Sequence, residues 1–88
     1  MEDAARDLGL PGETAHLLTL QTALGAARMA IESSDDPATL RRKVTSPGGT
    51  TERAIAVFEQ QGLRELFRQA LAAAHARSVE LSQQLGEQ

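Results

Sequence analysis

Cysteine is absent from the 88 residues, which excludes a disulfide framework, a thiolate zinc site and thiol redox chemistry, and suits a reducing compartment. Tryptophan and tyrosine are absent as well, and two phenylalanines are the only aromatic residues. A core must therefore come from Leu, Ile, Val, Met and many Ala, small side chains that form thin layers and let helices approach closely. No segment nears the roughly 20 consecutive apolar residues of a membrane span. The opening Met1-Glu2-Asp3-Ala4-Ala5-Arg6-Asp7 is acidic where a signal peptide is basic. A soluble, cytoplasmic protein with no membrane partner is expected. Net basicity is lacking too: the formal charge is -3 and the pI about 5.3, against a nucleic-acid-binding role. Arg41-Arg42-Lys43, the only basic run, reads as a helix C-terminus whose cations complement the macrodipole.

With 41% hydrophobic residues and 9.4 kDa, the chain has room for one domain of four or five helices, near the lower limit for a self-sufficient core. Ala4, Ala5 and Leu8 read as the last turns of a helix, and the abrupt start gives the expectation of a fragment. Gly9-Leu10-Pro11-Gly12-Glu13 combines a helix stop with a start, Pro11 being preorganised for a first turn. Leu17, Leu20, Leu24, Ala27 and Ile31 then recur at three- and four-residue spacings, which predicts a long amphipathic helix. Gly25 on that helix costs about 1 kcal/mol against Ala, and close contact with another helix backbone is the expected return.

Asp36 and Pro37 form an N-cap and first-turn pair for a short helix over roughly 37–44. A further helix over about 52–61 carries Ile55 and Phe58, and Gly62 stops it. From Leu63 onward, Leu66, Phe67, Ala70, Leu71, Ala74, Ser78, Leu81 and Leu85 predict a helix of about twenty residues with an apolar face too wide for one small chain to cover. No stretch alternates with period two, so the fold class is all-α, and a second copy is expected to complete the core.

Candidates for chemistry are few. His16 and His75 have no second ligand at metal spacing, so no metal is expected. No nucleophile elbow surrounds Ser33, Ser34 or Ser46, and the Gly48-Gly49 pair lacks the G-x-G-x-x-G pattern of a dinucleotide site. What remains is Val44-Thr45-Ser46-Pro47-Gly48-Gly49-Thr50-Thr51, two glycines and several hydroxyls at a helix start. Such a cluster of backbone N–H groups at the positive end of a helix suits a small anion. Equally, Ser46, Thr50 and Thr51 can simply cap the helix.

The run LRRKVTSPGGTTERAIAVFEQ, from Leu40 to Gln60, resembles the C-terminal signature of pyrroline-5-carboxylate reductases. GLPGETAHLLTLQTALGAARM from Gly9 and QALAAAHARSVEL from Gln69 are similar to that family's segments in the same order, so the resemblance covers residues 1–88. It implies an all-helical C-terminal domain that forms an interlocked homodimer, assembled in some members into decamers. The Rossmann domain that binds NAD(P)H is missing, so no cofactor site is expected in this chain, which should be inactive by itself. By the same resemblance, backbone N–H groups around Ser46, Gly48 and Gly49 hold the carboxylate of pyrroline-5-carboxylate or proline. Thr51 matches the position whose hydroxyl faces the ring nitrogen and is the catalytic candidate; Val44 matches the position before the loop. At Thr50 many members carry Ala, which makes its assignment to the substrate site a weaker implication. A purely structural oligomerisation module, its loop binding nothing, is the alternative.

Overall fold

In a computed structural model, described here for residues 1–86, five helices follow one another: α1 (Glu2–Asp7), α2 (Gly12–Glu32), α3 (Pro37–Lys43), α4 (Thr50–Gln60) and α5 (Leu63–Gly86). No strand occurs among the described residues, so the fold is all-α as the periodicity predicts. Two compact units divide the chain, the first spanning Met1–Val44 and the second beginning at Thr45.

In the first unit, Pro11 stands at the N-cap of α2 and Gly12 is its first residue, so Pro11 lies one position before the first turn. Its extended backbone (φ -56°, ψ 146°) already satisfies the N-cap geometry. Short α1 folds back on α2, and the Leu10 N–H donates to the Ala5 carbonyl at 3.2 Å. Asp36 caps α3 as expected: its Oδ1 accepts from the Thr39 backbone N–H at 2.8 Å, with Pro37 at the first helical position. That bond favours the ionised carboxyl, holding Asp36 below its ordinary pKa. Lys43, at the end of α3, bonds back to Asp35 and closes the connection. Val44 lies just past the helix as its C-cap.

In the second unit, α4 and α5 meet at a tight corner on Gly62, whose φ of 78° favours glycine. Arg64 and Glu59 pair across that corner at 3.1 Å. The first turn of α4 begins at Thr50, two residues earlier than the apolar pattern predicts, because Gly49 supplies the extended N-cap residue.

Burial departs furthest from an ordinary domain. Among the described residues, Ala15 alone is fully buried, where α1 lies on α2. The predicted stripe of α2 is half open or more, with Leu17, Leu20 and Leu24 each more than 50% exposed and Ile31 at 82%. On α5, Phe67 is 61% and Leu71 67% exposed. The amphipathic faces exist as predicted, but neither unit buries its own among the described residues. Gly25 likewise has nothing within 4 Å of where a Cβ would stand, so the close helix contact expected there is not made inside this chain.

Candidate functional site

The loop before α4 is built around one turn. The Gly49 N–H donates to the Ser46 carbonyl at 3.0 Å, enclosing Pro47 and Gly48 as the two central residues. Proline first and a glycine with φ 72° second is the pattern of a type II turn, which needs a positive φ at that second position. Gly49 has an ordinary backbone but a crowded one, since a Cβ there would stand 3.1 Å from the Ser46 oxygen. Each glycine is thus required for a different reason.

The helix then starts with no side-chain cap. Gly49 is the N-cap, and Thr50 and Thr51 are the first two helical residues, so the capping role open to Ser46, Thr50 and Thr51 is not the one they perform. The first intrahelical bond runs from the Arg53 N–H to the Gly49 carbonyl at 3.2 Å. A helix start of this kind points the amides of Thr50, Thr51 and Glu52 outward at the positive end of the dipole. The Gly49 amide is already committed to the turn and is not among the donors open at this helix start.

A recess of about 170 Å³ opens at this helix start, lined by Gly48, Gly49, Glu52, Arg53 and Ala56. Of the sequence-predicted site residues it gathers only Gly48 and Gly49. Thr51 lies about 200° around the helix from Gly49 at 100° per residue, on the side of half-buried Ile55 and away from the recess. Thr50 and Ser46 are exposed beside it and do not line it. Val44 belongs to the first unit, where it lines a separate apolar hollow of about 160 Å³ with Ala26, Met29, Leu40 and Arg41. Sequence reasoning missed Glu52, Arg53 and Ala56. Their signal was available, because Gly49, Glu52, Arg53 and Ala56 are spaced i, i+3, i+4 and i+7 on one helical face.

Among the described residues, no group of three or more His, Asp or Glu side chains is placed to hold a metal ion. The glycine pair sits in a turn between two helices and not on a strand-to-helix turn, so these residues do not fit a dinucleotide. No described helix is long and apolar enough to cross a membrane.

An all-helical chain with open apolar faces and a Pro-Gly-Gly turn at a helix start belongs to the class of domains completed by association. Residues 1–81 match the family described as pyrroline-5-carboxylate reductase dimerisation, and the chain belongs to that family. A pyrroline-5-carboxylate reductase of Pseudomonas aeruginosa is 60% identical over 87 residues, covering 99% of this chain and 32% of its own length. A solved pyrroline-5-carboxylate reductase of Coxiella burnetii superposes with a TM-score of 0.86 at 60% identity, over 91% of this chain and 30% of that one. A Plasmodium falciparum pyrroline carboxylate reductase, solved with NADP bound, gives 0.81 at 30% identity over 83% and 29%. The chain therefore spans about a third of the length of the relatives it matches.

Proposed function

We propose that residues 1–88 are the dimerisation and substrate-loop domain of a pyrroline-5-carboxylate reductase, an NAD(P)H-dependent oxidoreductase that makes L-proline from 1-pyrroline-5-carboxylate. The family match over residues 1–81 carries this reading. The NADP in the Plasmodium relative supports the cofactor class for the parent enzyme. In this chain the Pro47-Gly48-Gly49 turn and the start of α4 hold the substrate carboxylate through the amides of Gly48, Thr50 and Thr51, beside the Ser46 hydroxyl. Val44 closes the preceding helix and sets where the loop begins. The Thr51 hydroxyl hydrogen-bonds the ring nitrogen, and its place on the Ile55 side of α4 directs the ring away from the Glu52 and Arg53 recess.

The nicotinamide, bound by another part of the parent enzyme, supplies the hydride. This domain's task is to fix the acceptor, since orientation alone removes much of the barrier to a bimolecular step. Alone, the chain does not catalyse the reaction. The exposed faces of α2 and α5 support an interlocked homodimer, built in some assemblies into a decamer, in a cytoplasmic enzyme.

Titrating the 88-residue chain with proline while following backbone amide shifts tests the loop. Saturable shifts at Gly48, Thr50 and Thr51 are expected; a uniform or absent response favours a purely structural module. In an enzyme containing this domain, Thr51→Ala should lower kcat/KM by about 10-fold or more, as loss of a positioned polar contact to the reacting group does. An unchanged kcat/KM would remove Thr51 from the chemistry.

A further inference from the structure

Two consecutive aspartates hold the two ends of α3. That helix is seven residues long, about two turns, and on its own a helix so short is marginal in water. Asp36 fixes its start by accepting from the Thr39 amide. Asp35 fixes its end: Oδ2 accepts from the ammonium of Lys43, eight positions along and the last residue of the helix. Asp35 is itself anchored, since its backbone N–H donates to the Ser33 hydroxyl at 3.0 Å and the Ser33 N–H closes α2 on the Met29 carbonyl. The neighbouring Arg42 turns back to the Thr39 hydroxyl at 2.9 Å and takes no part in this tie.

We propose that Asp35 and Lys43 are positioning residues for the substrate loop, their ion pair fixing the last turn of α3 from which that loop departs. The proposal rests on the substrate-loop reading given above. Val44 follows Lys43 as the C-cap, its N–H donating to the Arg41 carbonyl at 3.3 Å, and Thr45 comes next. One residue therefore separates the tied end of the helix from the loop. When Lys43 is released, the last turn of α3 frays and the chain entering the Ser46–Gly49 turn samples more conformations. A ligand then binds only the fraction of molecules whose loop amides are already arranged, and apparent affinity falls in proportion.

The size and kind of the effect follow from where the pair stands. Asp35 is half-buried and Lys43 exposed, so water and salt screen their attraction in part. Losing an ion pair of this kind shifts an equilibrium by about 1.5- to 5-fold. The loss falls on binding, because Asp35 and Lys43 act through the loop and not on the reacting atoms. KM therefore changes while kcat stays.

Steady-state kinetics of an enzyme containing this domain test the assignment. Asp35→Asn and Lys43→Gln should each raise KM for pyrroline-5-carboxylate about 1.5- to 5-fold with kcat unchanged, and the double variant should be no worse than either single one. Lys43→Arg keeps the cation and should keep the original KM. The ratio of variant to unaltered KM should fall toward 1 as added salt screens the pair. Additive effects of the two single substitutions, or a lowered unfolding midpoint with KM unchanged, would overturn the proposal. Gly49→Ala, which crowds the turn itself, separates the proposal from the reading beneath it. A KM raised by Gly49→Ala but not by Asp35→Asn leaves the loop as the substrate site and overturns the tie. A KM moved by neither removes the substrate-loop reading and the proposal with it.

Discussion

Gly48 and Gly49 are adjacent, yet they resist substitution for different reasons, and two alanine variants separate them. Gly48→Ala places a Cβ in the left-handed region (φ 72°) with open space around it, so the cost is backbone strain of about 1–2 kcal/mol. Gly49→Ala keeps an ordinary backbone but brings its Cβ to 3.1 Å from the Ser46 oxygen, so the turn must shift by a few tenths of an ångström. The first variant should lower the unfolding midpoint while leaving the amide pattern of α4 in place. The second should move the Gly48 and Thr50 amide resonances and weaken any proline response more than it lowers stability. Equal effects from both would mean that the turn tolerates movement and that the crowding at Ser46 is not functional. Asp36 gives a third test at this scale. Its folded pKa is lowered by the Thr39 amide, so its contribution to α3 is present above the ordinary aspartate value near 3.9 and is lost as pH falls through the lower folded value. Amide shifts of Thr39 should therefore titrate in acid, and Asp36→Asn, which still caps, should flatten that titration.

At the scale of helices, α2 offers a substitution whose sign reports what covers it. Gly25 faces open space within the chain, so Gly25→Ala should raise intrinsic helix stability by about 1 kcal/mol. If a helix of a second copy approaches there, the same methyl group instead weakens association, and the oligomer dissociates at higher protein concentration than the unaltered one. Sedimentation across a dilution series distinguishes the outcomes. Element ends were legible wherever a local signal decides them. Asp36-Pro37 marks the start of α3 and Gly62 the corner between α4 and α5, each through one residue's own geometry. The start of α4 was less legible, because Thr50 and Thr51 have the chemistry of caps while the turn through Ser46 delivers Gly49 to the cap position. The recess was illegible until the start of α4 was fixed, since Glu52 and Arg53 join Gly48 and Gly49 only when the helix begins at Thr50. The exposure of the α2 and α5 stripes was not legible either, because a pattern of hydrophobic residues marks an apolar face without naming what covers it.

For the whole molecule, the balance between exposed apolar faces and a nearly empty interior sets the thermodynamics. Fully burying a Leu or Phe side chain contributes about 1.5–3 kcal/mol. In this chain Leu17, Leu20, Leu24, Leu66, Phe67 and Leu71 all stay more than half exposed. Ordering the backbone costs about 1–2 kcal/mol per residue, and a single chain that withholds its largest side chains from burial has little to offset that cost. Association supplies the missing burial, so folding and assembly should be one reaction. The unfolding midpoint should then rise with protein concentration, as it does when the folded state alone binds a partner. Light scattering should give a mass of at least twice 9.4 kDa. Phe67→Asp, a charge placed in the apolar hollow formed by Leu63, Leu66, Phe67 and Ala70, should lower both the mass and the midpoint. A cooperative, concentration-independent transition in a 9.4 kDa species would show that the chain folds without a partner and would remove the dimer from the reading.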